Sequence, residues 1–373
     1  MTSDKNPSSR TSLFNRVIFF FNYIFVTCLL LSYLAPFVSA ESFTTIAFLG
    51  LAYPALVLAN LLFVIYWLLL WKKRFLLSFV GILAGWFILS NYWSFNFKAA
   101  TDISTHRIKL MSYNVRLFDL YNRPFNIGTR NKMFELIKDE APDIICMQEF
   151  YKDDSKKFNT LDTLLEFQQA KNYHVVYTTT VLEKHHFGIA TFTTYPIVNK
   201  GNVSFESDAN NACIYTDLKI NADTIRIYNL HLQSIHLSNV VYADLKTKFE
   251  TKEVFEKETK NIVKRLAAAF SRRSSQADLI AAHIKTCKYP VIVCGDFNDT
   301  PSSYAYHTLK GNLTDAFKES GIGFGATYAG DIPLLRIDYI LHSNQVESTE
   351  FNIIPEKLSD HYPITCTIKL TSK

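Results

Sequence analysis

At 373 residues the chain has room for one large domain or two ordinary ones. Its formal net charge is +5 and 48% of its residues are hydrophobic, with 30 phenylalanines among them. Residues 1–98 hold 7 of the 39 Lys+Arg and 2 of the 34 Asp+Glu, so the remainder carries 32 of each and is formally neutral, which argues against a protein that grips nucleic acid through a broad basic surface.

The hydrophobic excess lies at the front of the chain. Three apolar runs, 17–40, 44–71 and 75–96, are each long enough to cross a bilayer core of about 30 Å. They predict three transmembrane helices in residues 1–98, followed by one soluble domain over 99–373. Lys5, Arg10 and Arg16 precede the first run, and Lys72, Lys73 and Arg74 separate the second from the third. Basic loops stay cytoplasmic, so the N-terminus is expected inside and everything after about residue 98 outside the cytoplasm, in an integral protein compatible with a bacterial inner membrane. Val38-Ser39-Ala40 also suits a signal-peptidase site, and cleavage there would leave two spans with the same final orientation.

Six cysteines are present, with Cys28 in the first run. Cys146, Cys294 and Cys366 lie in apolar strand patterns, where Cys behaves as a small hydrophobe. Their spacing suits neither a disulfide framework nor a zinc site.

Residues 101–106 read as a polar linker. A strand follows over 107–115, carrying Asn114 at its end, then a helix over 129–140 broken at Ala141-Pro142. Residues 143–149 form a second buried strand that ends on Glu149. A helix over 159–170 and strands over 174–180, 187–193, 212–219 and 224–230 come next, the last running into His231. Residues 240–271 and 274–287 look like two helices, with Lys264-Arg265 and Arg272-Arg273 on solvated faces or in a local basic patch. The apolar strand 290–294 stops at Gly295 and sets out Asp296, Asn298 and Asp299. Taken alone, Gly-Asp-Phe-Asn-Asp also suits a turn. A short helix near 302–309, a glycine-rich loop at 321–330 and strands over 336–341, 346–353 and 362–369 close the chain. Strands mixed with helices, without strict alternation, point to mixed sheets covered by helices. Polar residues recur at strand ends: Asn114, Glu149, His231, Asp296 with Asn298, Asp338, and Asp360 with His361. Strand ends gathered at one sheet edge are where α/β sites form.

The segments SYNVR (112–116), MQEF (147–150), FGIATFTTYPI (187–197), NLHL (229–232), GDFND (295–299), RIDYIL (336–341) and SDHYPI (359–364) together resemble, in order, the motif series of the endonuclease/exonuclease/phosphatase superfamily. The resemblance spans about 107–370. It implies a four-layer α/β sandwich of two packed mixed β-sheets flanked by helices, and Mg²⁺-dependent phosphoester hydrolysis, with Mn²⁺ or Ca²⁺ as substitutes.

The residue types suit that chemistry. Phosphoester hydrolysis needs an in-line water, a base and neutralisation of phosphoryl charge, and Mg²⁺ prefers hard oxygen ligands. By resemblance Glu149 is expected to ligate the metal, with Asn114 beside it and Asp360 on the metal side. Asp296 is expected to orient or deprotonate the water, Asn298 to donate to the phosphoryl oxygen, and His231 and His361 to flank the phosphate. By the same resemblance Asp338 is expected to pair with His361, fixing its tautomer and raising its pKa. Arg116 is expected to bind a substrate phosphate, and it stands where repair nucleases of the superfamily often carry an acidic residue. Asp299 and Gln233 are expected to support the site, and His185-His186 to lie on an exposed loop.

For the substrate, the anchor and the neutral domain favour a lipid head group or a small phosphoester. The alternative is an extracytoplasmic nuclease acting on DNA or RNA. A catalytically dead binding module is a third reading, disfavoured because every expected catalytic position holds a competent residue. No protein partner is expected.

Overall fold

The computed structural model describes residues 7–96, 107–120, 127–154, 160–167, 172–205, 211–235, 252–330, 332 and 334–371. The linker expected at 101–106, the first part of the helix expected from 240, and residues 159 and 168–170 of another expected helix lie outside the described residues. The chain falls into two compact units, the first Met1–Ser90 with Ser302–Tyr304 and the second Asn91–Pro301 with Ala305–Lys373.

The first unit is helical, with helices over Pro7–Ser32, Ala40–Leu51, Tyr53–Leu69, Phe75–Ala84 and Trp86–Leu89. Leu13–Ser32 is long and apolar enough to cross a membrane, and the count rises to three if each of two bent pairs is one span. The second expected run breaks at Ala52 with a bend of 47°, and the third bends by 60° between Ala84 and Trp86. That third run ends earlier than expected, because Trp93–Phe95 is a strand. The unit hides polar groups and shows apolar ones. Asn22, Asn60 and Ser78 are fully buried, whereas Phe20, Leu62 and Leu69 are exposed. Asn22 donates to Ser78, Ser78 to Asn60 and the Trp67 indole to Asn22, at 2.5, 2.9 and 2.9 Å. These interhelical hydrogen bonds satisfy polar groups that are buried inside the unit.

The second unit contains fourteen strands among the described residues: β1 Trp93–Phe95, β2 Ile108–Asn114, β3 Ile144–Asp153, β4 Asn172–Val181, β5 His185–Thr193, β6 Ile197–Val203, β7 Ala212–Ile220, β8 Asp223–His231, β9 Val291–Asp296, β10 Thr314–Asp315, β11 Ile322–Phe324, β12 Asp338–His342, β13 Val346–Ile353 and β14 Ile364–Leu370. Twelve of them form two six-stranded sheets, ordered β13-β14-β2-β3-β5-β4 and β10-β12-β9-β8-β7-β6. β2 pairs parallel with β3, and β8 with β9, while every other ladder in these sheets is antiparallel. Both sheets are therefore mixed.

Alternation along the strands decides which residues fill each layer. Leu110, Cys146, Ile227, Cys294, Ile340 and Cys366 face one another between the sheets. Met111, Ile145 and Met147 turn outward, against Met133, Phe134 and Ile137 of helix Ile127–Glu140 and Leu164 of helix Thr160–Phe167. Tyr228, Val293 and Tyr339 turn outward from the other sheet, against Ala277 and Ile280 of helix Lys252–Lys285 and Tyr306 of helix Tyr304–Lys310. Helices, two sheets and helices make four layers.

Helix Lys252–Lys285 is continuous where a break near 272 was expected. The Ser274 hydroxyl donates back to Phe270 O at 3.0 Å, which satisfies a polar side chain within the helix. Arg273 is not on a solvated face. It is 1% exposed, with Nε 3.4 Å from Asp299 Oδ2, so the expected basic pair supplies one surface charge at most.

Candidate active site

Parallel pairing brings strand ends together. β2 and β3 run side by side, as do β8 and β9, with His231 directly opposite Asp296. β12 pairs antiparallel with β9 and starts where β9 ends, so Asp338 lies opposite Asp296. Asn114, Glu149, His231, Asp296, Asn298, Asp338, Asp360 and His361, far apart in sequence, thus come within reach of one another.

Asp296 is the hub. Its Oδ1 accepts from the Asn298 backbone N–H at 2.7 Å. Its Oδ2 accepts from the amides of Asn114 at 2.9 Å and Asn298 at 3.1 Å. Nε2 of His231 and Nε2 of His361 both lie 3.6 Å from that same Oδ2. Burial pushes the Asp296 pKa up to about 6, with Asp338 adding to the rise and the two imidazoles opposing it.

Behind His361, Nδ1 lies 3.1 and 3.0 Å from the two carboxylate oxygens of Asp338. A carboxylate can only accept there, so Nδ1 carries the proton and Nε2 faces the site. Burial disfavours the imidazolium, but Asp338 and Asp296 outweigh it and hold the His361 pKa well above its ordinary value.

Glu149 reaches the site by a different route from the expected strand end. β3 continues to Asp153, and a bulge against β5 between Met147 and Phe150 puts Glu149 at φ +48°. The bulge re-aims the side chain out of the alternating pattern. Its Oε1 is 3.4 Å from Asn114 Nδ2 and 3.8 Å from His231 Nε2. Burial raises the Glu149 pKa, and Asp360 raises it further.

Asp360 faces Arg116, with Nε 3.5 Å from Oδ2. Arg116 opens a left-handed turn in which four consecutive residues, Arg116 to Asp119, have φ between +44° and +65°. Such a run is costly for L-residues and persists only where the surroundings over-determine it. Here Val115 N–H donates to Gln148 O and Arg116 N–H to Asn114 Oδ1, at 3.1 Å each. Asn298, also at positive φ, donates its amide to Leu232 O at 3.0 Å as well as to Asp296. In this arrangement both of its amide hydrogens hold the loop and the hub carboxylate.

Several residues beneath the site carried no separate signal in the sequence. Gln148 Nε2 donates to Asn229 Oδ1 at 2.7 Å, and Asn229 Nδ2 donates to Ala190 O at 2.8 Å, a buried amide bridge between the sheets. Asn229 shares a strand face with His231 at i and i+2, the one pattern that could have marked it. Thr327 Oγ1 accepts from Asp338 N–H at 3.0 Å, and Ser359 Oγ donates to Asn114 O at 2.9 Å. Gln233 accepts from Asn211 at 2.9 Å, outside this cluster. His185 and His186 begin β5 rather than lying on a loop, and pair with Asp153 and Asp154.

A divalent cation fits the donor set. Carboxylates and amide oxygens are hard donors, and Glu149, Asn114, Asp296 and Asp360 set several of them close together. Ligand atoms of Asp296, Asp338 and His361 lie within 4.8 Å of one another.

Residues 15–92 match a domain family of unknown function (DUF8431), and residues 111–361 match the Endonuclease/Exonuclease/phosphatase family. No curated protein sequence matches the chain. Among solved structures, an endonuclease/exonuclease/phosphatase from Bacteroides vulgatus is similar at 20% identity and a TM-score of 0.53, covering 71% of this chain and 100% of its own. A mannosyl-6-phosphatase from Bacteroides thetaiotaomicron is similar at 17% identity and a TM-score of 0.51, covering 70% and 100%. An endonuclease/exonuclease/phosphatase from Beutenbergia cavernae is similar at 14% and 0.51, covering 71% and 72%. At these identities the likeness is one of fold. The match over 111–361 takes in every residue of the cluster, from Asn114 to His361, and the chain belongs to the endonuclease/exonuclease/phosphatase family.

Proposed function

We propose that the protein is a membrane-anchored, metal-dependent phosphoester hydrolase that acts on lipid head groups or small phosphoesters. The observation that carries the reading is the pair of imidazole Nε2 atoms at 3.6 Å from one oxygen of Asp296, with Asp338 behind one of them.

Glu149, with Asn114 and Asp360, would hold the cation, Mg²⁺ by the hardness of its donors. When bound, it supplies neutralisation of phosphoryl charge. Asp296, with its pKa raised to about 6, takes the proton from a water aligned with the phosphorus. His361, kept cationic by Asp338, and His231 stabilise the phosphoryl oxygens or protonate the leaving group. Asn114 and Asn298 hold the Asp296 carboxylate in place. Arg116, beside Asp360 at the rim, meets a substrate phosphate.

The apolar exterior and polar interior of the helical unit support a bundle in lipid. The basic residues before and between its runs support an extracytoplasmic catalytic unit in an inner membrane. The neutral charge of residues 99–373 and the burial of Arg273 favour a lipid or small ester over nucleic acid. The mannosyl-6-phosphatase among the similar structures is compatible with a small phosphoester.

The test is hydrolysis of bis-p-nitrophenyl phosphate, a phospholipid panel and plasmid DNA by the purified full chain with Mg²⁺, Mn²⁺ or Ca²⁺, beside Asp296→Ala. Metal-dependent turnover lost in the variant supports the site. Preferred cleavage of DNA would replace the substrate reading with a nuclease, and silence on all three, or equal turnover by the variant, would sink the hydrolase reading.

A further inference from the structure

The second unit turns an apolar surface outward. β1 and β11 pair antiparallel, with Trp93 opposite Phe324, Ser94 opposite Gly323 and Phe95 opposite Ile322. Alternation then puts Trp93, Phe95, Ile322 and Phe324 on one face of the ribbon and Ser94 with Gly323 on the other. The small face is turned inward, with Ser94 2% exposed. On the large face Phe95 is 69%, Ile322 59% and Phe324 65% exposed. A two-stranded ribbon on a water-soluble unit is expected the other way round, apolar side in.

The ribbon is firmly tied to the unit. Lys318 Nζ donates to Trp93 O at 2.7 Å, Arg336 Nη1 to Asn91 O at 3.1 Å and Asn96 N–H to Gly321 O at 3.3 Å. The apolar face is thus held outward by polar bonds beneath it. Ile332 and Leu334, on the loop that follows β11, are 47% and 66% exposed.

The same loop helps to build the active site. Thr327 Oγ1 accepts from the N–H groups of Ile337 and Asp338, and the Tyr328 ring meets His361 edge-on at 5.6 Å. Ala329 N–H donates to Asp360 O and Tyr362 N–H to Thr327 O, both at 2.7 Å. One short segment therefore joins the exposed apolar face to Asp338, Asp360 and His361.

Continuity of the chain says what covers this face. In sequence only the 3-10 turn Ser90–Tyr92 separates β1 from the apolar helix Trp86–Leu89. Tyr92 and Trp93 are of the types that settle at headgroup level. An exposed aromatic ribbon next in sequence to a membrane-crossing run is placed where water meets lipid.

We propose that the outward face of the β1–β11 ribbon lies in the headgroup–acyl boundary of the bilayer and presents the active site to a phosphoester carried on that lipid surface. This rests on the membrane-anchored reading above, and the experiment separates the two. The full chain is made in membranes with p-benzoylphenylalanine at Phe324, at Leu62 in the apolar helices, or at Leu279 on helix Lys252–Lys285, then irradiated and analysed by mass spectrometry. A lipid adduct at 324 and 62 but not at 279 is the expected result. An adduct at 62 without one at 324 overturns the ribbon proposal and leaves the anchor standing. No adduct at either removes the anchor and the proposal with it, and a protein adduct at 324 assigns the face to a protein partner or a second copy. For the substrate, the double variant Phe95→Ser, Phe324→Ser is expected to lose at least ~10-fold in turnover of vesicle-borne phospholipid while keeping that of a soluble ester. Equal effects on both overturn the lipid-surface substrate.

Discussion

Asp338 holds His361 from behind, with both carboxylate oxygens 3.0 to 3.1 Å from Nδ1, and so aims Nε2 at Asp296. Asp338 is itself held by its backbone N–H on Thr327 Oγ1, and the pair is buried. Its isostere Asp338→Asn keeps the shape and removes the charge. The variant is expected to fold and to lose on the order of 10²- to 10⁴-fold in kcat, with KM little changed. Steady-state kinetics on the substrate found in the panel above check this, and a loss confined to KM would contradict it.

Metal binding distinguishes the two possible positions of the ion. With Glu149 as ligand, Glu149→Ala removes the Mg²⁺ binding heat in calorimetry, and chelation abolishes turnover of the native chain. Asp338→Ala is then expected to retain that heat. Retention by Glu149→Ala and loss by Asp338→Ala would instead place the ion among Asp296, Asp338 and His361.

Away from the site, Arg336 is fully buried and forks onto Asp315, with Nη2 2.6 and 2.7 Å from its two oxygens. The guanidinium also lies over the rings of Phe317 and Tyr339, at 4.4 and 4.6 Å. Asp315→Asn leaves this cation without its counter-charge, and the expected loss is about 3–5 kcal/mol of stability. Replacing both residues by apolar ones of similar volume is expected to cost much less. Denaturant melts of the single and double variants compare the two.

The amide bridge under the site is expected to matter to stability as well as to position. Asn229→Ala removes the shortest acceptor of Gln148 Nε2, leaving it the 3.3 Å contacts to Ser112 Oγ and Cys146 O, and removes a donor to Ala190 O, at a cost of about 1–3 kcal/mol. Because Gln148 precedes the bulged Glu149, activity is expected to fall more than the unfolded fraction explains. Activity measured well below the melting temperature tests that.

Glu319 supplies a pH dependence remote from the candidate active site. Burial opposes its charge, but His342, Ser348 Oγ and Ser348 N–H, at 3.0, 2.7 and 2.9 Å, outweigh burial and hold its pKa at about 2. The folded value is below the ordinary one, so the contribution is present above about pH 4.5 and is lost as pH falls toward 2. Glu319→Gln is therefore expected to be less stable than the native chain near neutrality, with the difference shrinking through that acid window. Thermal melts from pH 7 to pH 3 read the convergence, and a difference that grows on acidification would refute it.

The apolar runs, the alternation of the buried strands and the polar residues at their ends were legible in the sequence, because they follow from local periodicity and composition. The ordered motifs made the fold legible as well. Which charges face each other was not. Arg273 reads as half of a basic surface pair, yet the helix phase turns it inward to Asp299. Glu149 reads as a strand end, yet only pairing with β5 makes the bulge that re-aims it. Asn229 and Thr327 look like ordinary strand and loop residues until the sheets pack. β1 continues an apolar run in the sequence, and its pairing with Ile322–Phe324 depends on a contact more than 220 residues away. Local sequence thus determined where the chemistry-bearing residues stand along their elements. The meeting of Asp296 with two histidines, and the outward turn of the ribbon, were decided by long-range pairing and burial, which no local window of sequence contains.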